Sequence, residues 1–115
     1  MPRDKLVFFA DMVAAIEKIQ RYVANITLKE FLEDEMRVDA VVRNLEIIGE
    51  AAGKISPETR YKYSHIPWKR IVGLRNILIH EYFGIDMDIV WDIIENYLPD
   101  LELETRKILE DEQYG

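Results

Sequence analysis

The sequence predicts an all-α fold: an antiparallel four-helix bundle with a short extra helix near residues 57–63. Apolar residues recur at spacings of three and four along four long segments, which is the period of an amphipathic helix. No segment shows the strict apolar and polar alternation that predicts a half-buried strand. Short links between the segments favour an antiparallel bundle. The 115 residues are expected to form one domain, 1–115.

The first two helices follow from their apolar stripes. The first is predicted from about Asp4 to Val23. Thr27-Leu-Lys-Glu30 is a capping-box pattern, so a second helix is predicted to start there and to run as one helix to about Ala52. The predicted inner positions are Leu6, Phe9, Val13, Ile16, Ile19 and Val23 in the first helix and Val38, Val41, Val42, Leu45, Ile48 and Ala52 in the second.

Proline, glycine and capping residues delimit the next two helices. Ser56 and Pro57 predict the cap and first position of a short helix through about Tyr63. Pro67 predicts the first position of a third long helix, because its missing N–H costs nothing there. Gly84 is the expected left-handed stop of that helix.

The third long helix contains one anomaly. Arg75 falls on its apolar stripe, seven residues after Trp68 and seven before Tyr82. A charge on a core-facing stripe is either paired or functional, because burying it alone is prohibitively costly. The apolar positions of the stripe are Trp68, Ile71, Val72, Leu78, Ile79 and Tyr82.

The fourth helix is predicted to begin at the cap Asp86 and to be disturbed by a proline. Pro99 removes a backbone hydrogen bond and its ring clashes with the preceding turn, so a kink is expected between Glu95 and Pro99. The predicted inner positions are Val90, Trp91, Ile94, Leu98, Leu101, Thr105 and Ile108.

Composition excludes several classes of function. Cysteine is absent, which excludes disulfides, thiolate metal sites and cysteine nucleophiles. The two histidines, His65 and His80, lie too far apart for a His-x-x-x-His motif, so neither a metal site nor a cofactor is expected. No stretch approaches the ~18 apolar residues of a membrane span. We therefore expect a cytoplasmic protein without membrane contact.

The charge distribution is uneven. The chain carries a net charge of −7, but the segment from Lys54 to His80 has six basic side chains against one acidic and is +5 by itself. Such asymmetry directs a polyanion to one region, or brings the segment to an acidic partner protein or to the acidic half of a second copy. The candidate RNA contacts are Arg60, Lys62, Lys69 and Arg70.

The segment from Arg75 to Tyr82 has the residues for metal-free RNA cleavage. Arginine binds phosphate with two hydrogen bonds, and histidine moves protons near neutral pH. A base can deprotonate the ribose 2′-OH, which attacks the adjacent phosphate, while a cation stabilises the anionic transition state. Asn76 and His80, four residues apart, share one face of the helix.

The spacing of the two charged candidates constrains the site. Five residues place Arg75 and His80 about 140° apart around an ideal helix. A common site requires a long reach by the arginine, a helix that loosens near Glu81, or two copies that meet on a two-fold axis. A homodimer resolves the geometry most simply.

Two further patterns leave alternatives open. Arg60 and His65 have the same spacing as Arg75 and His80, so the pattern alone is weakly specific. Glu46 and Glu50 lie four apart on one face of the second helix. Such carboxylates can act as acid and base, can be solvated, or can support an arginine from another helix.

Taken together, these motifs resemble those of the HEPN superfamily, and specifically of its HepT-like toxin branch. The resemblance rests on Arg75-x4-His80-x-Tyr82, preceded by Pro67-Trp68-x-x-Ile71-x-Gly73-x-Arg75-Asn76. Glu46-Ile-Ile-Gly-Glu-Ala-Ala52 in the second helix, and Ile85-Asp86 followed by Val90-Trp91 in the fourth, are also similar to that branch.

The resemblance implies an HEPN-like helical bundle that dimerises so that both Arg-x4-His motifs line one cleft. It also implies a metal-independent endoribonuclease that is the toxin of a type II toxin–antitoxin pair. Arg75 and His80 would be catalytic and Asn76 their polar neighbour. An MNT-type nucleotidyltransferase antitoxin would silence the toxin by adding AMP to Tyr82. The alternative is a non-catalytic HEPN module that binds a nucleotidyltransferase or a nucleotide, which the acidic net charge of −7 favours.

Overall fold

The computed structural model describes the backbone of residues 5–80 and 86–114, and the side chains of residues 5–74 and 86–113. These ranges are helical apart from short links and contain no strand, which confirms the predicted all-α fold. The helices are α1 Lys5–Val23, α2 Leu28–Glu33, α3 Glu35–Gly53, α4 Pro57–Lys62, α5 Trp68–His80, α6 Met87–Asp92 and α7 Leu98–Tyr114, with a π-helical turn Ile93–Tyr97 between the last two.

The core lies where α1 packs on α3 and α7, and α3 packs on α5. The predicted stripes supply most of it, since their members are largely buried. Several buried side chains lie outside the predicted stripes, and the largest of them in α1 and α2 are Met12 and Phe31. The largest fully buried side chains are Phe9, Phe31, Met12, Ile16, Ile19, Leu45, Ile48, Ile108, Val41, Val90 and Thr105. None of the helices in the described ranges is long and apolar enough to span a membrane.

The predicted second helix is broken at Asp34, so its expected continuity is wrong. The capping box of Thr27 and Glu30 starts α2 as predicted, but α2 ends at Glu33. Asp34 leaves the helical conformation (φ −109°, ψ 89°), and its carboxylate accepts the N–H of Arg37 at 3.1 Å. The Arg37 guanidinium binds the same carboxylate at 3.0 Å and donates to the carbonyl of Tyr22 at 2.6 Å. A local side-chain hydrogen bond thus replaces the helical ladder.

A π-helical turn precedes Pro99. This turn, Ile93–Tyr97, overlaps the region of the kink predicted between Glu95 and Pro99, and in it the N–H of Leu98 donates to the carbonyl of Ile93. The wider turn adds one residue to the helix immediately before the proline. The helical path therefore continues from α6 into α7.

The starts of α5 and α6 lie within one residue of the positions predicted from Pro67 and Asp86. The carbonyl of Pro67 accepts the N–H of Ile71 at 3.1 Å, so the proline precedes the first helical residue, Trp68, and does not occupy the first position. Asp86 caps α6 as predicted, accepting the N–H of Asp88 at 2.9 Å. The predicted stop at Gly84 lies outside the described residues.

Candidate functional site

The backbone of α5 runs as one α-helix through Arg75, Asn76 and His80. Within it Arg75 and His80 stand about 140° apart, as the five-residue spacing requires. Asn76 and His80 lie on one line along the helix. The side chains of these three residues, and the whole of Tyr82, are outside the described part of the chain. Their roles therefore stay predictions.

Aromatic packing holds the N-terminal half of α5 in place. Trp68 is 7% exposed, and its indole N–H donates to the carbonyl of Tyr63 at 3.1 Å. The Phe9 ring packs edge-on against Trp68 and Tyr63, with centroids 6.0 and 6.4 Å away. Ile71 is buried one turn further on. Arg75 stands in register with this fixed stripe, four residues after Ile71 and seven after Trp68.

A charged cluster around Glu112 joins the end of α7 to the segment before α5. The Glu112 carboxylate accepts the hydroxyl of Tyr63 at 2.7 Å, and lies 3.0 Å from the Lys5 amine and 3.1 Å from the Lys62 amine. The Tyr63 hydroxyl also donates to Asp111 at 2.9 Å. The Glu112 side chain is 10% exposed but the Lys5 and Lys62 side chains are 44% and 59% exposed, so water screens the two lysine contacts more than the Tyr63 hydrogen bond.

The cluster shifts the ionisation of its members. The hydrogen bond from Tyr63, followed by that from Lys5, lowers the pKa of Glu112 to about 2. Burial, together with the two carboxylates, raises the pKa of the Tyr63 phenol above its usual range. The sequence carries no signal for this cluster, because Tyr63 and Glu112 are far apart along the chain.

Three members of the basic segment bind other parts of the protein. The Lys54 amine lies 3.6 Å from the Glu50 carboxylate, and Lys62 belongs to the Glu112 cluster. Arg60 donates from Nη2 to the carbonyl of Ala52 at 3.0 Å, at the end of α3. Its Nε is buried and has no hydrogen-bond partner among the described residues.

Lys69 and Arg70 differ from those three basic residues. Both are exposed on the first turn of α5, and neither forms an ion pair with a residue that the structure describes. Of the four predicted RNA contacts, these two are exposed without an ion pair to a described residue, whereas Arg60 and Lys62 have partners within the protein.

The predicted supporting carboxylates lie on α3, the helix that packs against α5. Glu46 pairs with Arg43 at 3.3 Å, and Glu50 lies near Lys54. The Glu46 side chain is 21% exposed. Glu46 and Glu50 both form ion pairs with residues close to them in the sequence. The Arg75 side chain is outside the described part of the chain, so their predicted support of Arg75 stays a prediction. No group of three or more His, Asp and Glu residues in the described ranges is arranged to hold a metal ion.

Comparison with known proteins gives a consistent result. The model of the family described as "Ribonuclease HepT-like" matches residues 12–108 of the chain. A Methanocaldococcus jannaschii protein named "Gamma-glutamylcyclotransferase and putative RNase" is 38% identical over 111 residues, which are 96% of this chain and 50% of that protein. The chain thus spans half the length of that relative.

Two other relatives are matched over nearly their whole length. A "Putative RNase" of Methanocaldococcus jannaschii is 41% identical over 102 residues, 89% of this chain and 94% of that protein. A protein of Thermococcus cleftensis named "Probable ribonuclease HepT" is 34% identical over 108 residues, 94% of this chain and 98% of that protein. No solved structure gives a significant match. The chain belongs to the HepT-like ribonuclease family.

Proposed function

We propose that this protein is a metal-independent endoribonuclease whose active site is built on α5. The observation that carries the proposal is the placement of Lys69 and Arg70, exposed and free of described ion pairs, on the same regular helix as Arg75, Asn76 and His80. A phosphate backbone bound by these cations would lie beside the residues that can cleave it. Membership of a ribonuclease family supports this assignment.

The proposed reaction uses side chains, the RNA itself and a proton from the solvent. His80 takes the proton of a ribose 2′-OH, and the oxygen attacks the adjacent phosphorus. Arg75 stabilises the additional negative charge as the bond from phosphorus to the 5′ oxygen breaks. The 5′ oxygen leaves with a proton from the solvent. The products are a 2′,3′-cyclic phosphate and a 5′-hydroxyl.

We propose that two copies form the working enzyme. The angle of about 140° between Arg75 and His80 prevents one straight helix from aiming both at a single phosphate. In a two-fold dimer, Arg75 of one copy and His80 of the other can face the same cleft. The homodimer also gives a reason for the position of Arg75 on the stripe that Trp68 and Ile71 begin.

The biological role that we propose is that of a toxin. Its antitoxin would be an MNT-type nucleotidyltransferase that adds AMP to Tyr82, two residues after His80. Such an adduct would bring a bulky phosphodiester to the catalytic helix and exclude the substrate. Incubation with the nucleotidyltransferase and ATP, followed by peptide mass spectrometry, tests this step. AMP on another residue, or on none, would contradict it.

The test of the main proposal is a cleavage assay on single-stranded RNA in excess EDTA. We expect 2′,3′-cyclic phosphate ends, and no cleavage of DNA of the same sequence, because DNA lacks the attacking hydroxyl. Intact RNA in this assay, together with tight binding to a nucleotidyltransferase, would favour the alternative of a non-catalytic HEPN module. The net charge of −7 supports that alternative, because it favours a protein partner over RNA.

A further inference from the structure

Gly73 occupies the middle of α5, where glycine is unfavourable. The helix extends from Trp68 to His80, so Gly73 is neither a first-turn residue nor a terminal cap. Glycine loses more backbone freedom in a helix interior than any other residue, and only proline is less favourable there. A glycine at this position therefore calls for a compensating reason.

Among the described residues, neither backbone conformation nor internal packing supplies that reason. No described glycine has a positive φ. A Cβ built on Gly73 would meet no described atom within 4 Å, so the described part of the fold leaves this space open. Gly53 at the end of α3 gives a contrast, because a Cβ there would lie 3.9 Å from Cγ1 of Val72, an ordinary contact. The described part of the fold would thus accept alanine at position 73.

The open position lies on a polar line of the helix. Lys69 is four residues before Gly73, Asn76 three after and His80 seven after, so these four positions share one face of the backbone. Arg70 lies three residues before the glycine, on the adjacent row. This polar line therefore has the Lys69 cation at one end and the position of His80 at the other. Between them, Gly73 has no side chain, and we call this position the gap.

The charges beside the gap indicate what can enter it. Lys69 and Arg70 are exposed, and no described acidic group pairs with either. A polyanion is complementary to them, whereas a second copy meeting this face would have to bury these cations at the contact. A sugar–phosphate chain can come closest to a helix where a Cβ is missing.

We infer that Gly73 is a positioning residue, at which the backbone of the RNA substrate crosses α5 in direct contact with the helix. This inference rests on the proposed function. Contact at Gly73 places one phosphate within reach of Lys69 and Arg70 and directs the chain along the line toward Asn76 and His80. A methyl group at position 73 lifts the RNA from the helix.

The test compares Gly73→Ala with the matched control Gly53→Ala. RNA affinity is measured by fluorescence anisotropy with a labelled single-stranded RNA in the His80→Ala background, so that cleavage does not interfere. We expect Gly73→Ala to weaken binding by about tenfold and to reduce the salt dependence by about one phosphate contact. Gly53→Ala should leave binding within about twofold. The thermal midpoint of Gly73→Ala should rise by about 2–6 °C, because alanine favours the helix.

The combination of higher stability and weaker RNA binding separates positioning from a structural role. Unchanged RNA affinity in Gly73→Ala would overturn the inference, as would a wild-type protein that binds no RNA. Sedimentation is the further check: if Gly73→Ala loses affinity only because it becomes monomeric, a second copy occupies the gap and the inference is wrong. A wild-type protein that binds RNA without cutting it would contradict the proposed function alone, since the affinity comparison still decides the role of Gly73.

Discussion

Two segments of this chain have arginine and histidine at the same spacing, and the structure uses them differently. In the first, Arg60 reaches back to the carbonyl of Ala52, and Nε2 of His65 lies 2.9 Å from the Glu104 carboxylate. This arginine lies in α4 and its histidine in the link to α5, so no single helix joins them. In the second, Arg75 and His80 lie on the uninterrupted backbone of α5.

The difference shows that the same spacing occurs in two different structural settings. In the first segment, Arg60 and His65 both form hydrogen bonds with other parts of the fold. The second segment follows a well-fixed stripe, since Trp68 and Ile71 are buried, and it lies just after two exposed cations. Fixed backbone and available charge are the features that an RNA-cleaving site requires.

The largest expected effect separates the two segments by activity. Arg75→Ala and His80→Ala should each lower the single-turnover rate of RNA cleavage by at least about 10²-fold, because each removes a transition-state interaction. His65→Ala should stay within about twofold of wild type, since its partner is Glu104. Circular dichroism serves as the control for folding. If His65→Ala lowers the cleavage rate as much as His80→Ala does, the two segments do not differ in function.

The next effect concerns the Glu112 cluster, which holds the first of the two segments through Lys62 and Tyr63. Glu112→Gln should lower the free energy of unfolding by about 1–2 kcal/mol at neutral pH, because the charged hydrogen bonds from Tyr63, Lys5 and Lys62 are weakened. The pKa of Glu112 is lowered from 4.5 to about 2 in the folded protein. Its contribution is therefore complete above about pH 4.5 and is lost as the pH falls toward 2.

Urea titrations of wild type and Glu112→Gln across that pH range measure this contribution. The difference between the two unfolding free energies should be constant from pH 7 to about 5 and should shrink below pH 4.5. If the difference instead stays constant down to pH 2, the contacts with Tyr63, Lys5 and Lys62 do not lower the pKa of Glu112.

A smaller effect is expected from the first arginine. Arg60→Met should cost about 1 kcal/mol, because it removes the hydrogen bond to Ala52 but also removes a buried Nε that has no described partner. Cleavage per folded molecule should not change. Thermal unfolding measures the stability of Arg60→Met. If this variant loses cleavage activity without losing stability, Arg60 is an RNA contact.

The smallest effect compares Lys69, which has no ion pair with a described residue, with the paired Lys62. Lys69→Ala should weaken RNA binding at low salt and reduce the slope of log affinity against log salt by about 1. Lys62→Ala is the matched control, because its amine already lies 3.1 Å from Glu112. Equal changes in slope for the two variants would show that RNA displaces the internal ion pair.

Local sequence signals located most of the fold. The capping box at Thr27, the cap and proline at Ser56 and Pro57, and the cap at Asp86 all lie at the predicted helix starts. These signals are reliable because each involves hydrogen bonds within a few residues. The break at Asp34 was missed, although Asp34 caps α3 locally; a hydrogen bond from Arg37 to the carbonyl of Tyr22 in α1 accompanies this cap and has no local sequence signal.

The order of residues determined the helices, their inner faces and the five-residue step between Arg75 and His80, because periodicity and capping act within one or two turns. Tertiary structure decided which basic groups pair with distant parts of the described fold. Arg60, Lys62, Lys69 and Arg70 look alike as a sequence pattern, yet packing brings the first two to Ala52 and Glu112 and leaves the last two exposed. Pairing between distant residues depends on how the helices pack, which no local pattern encodes.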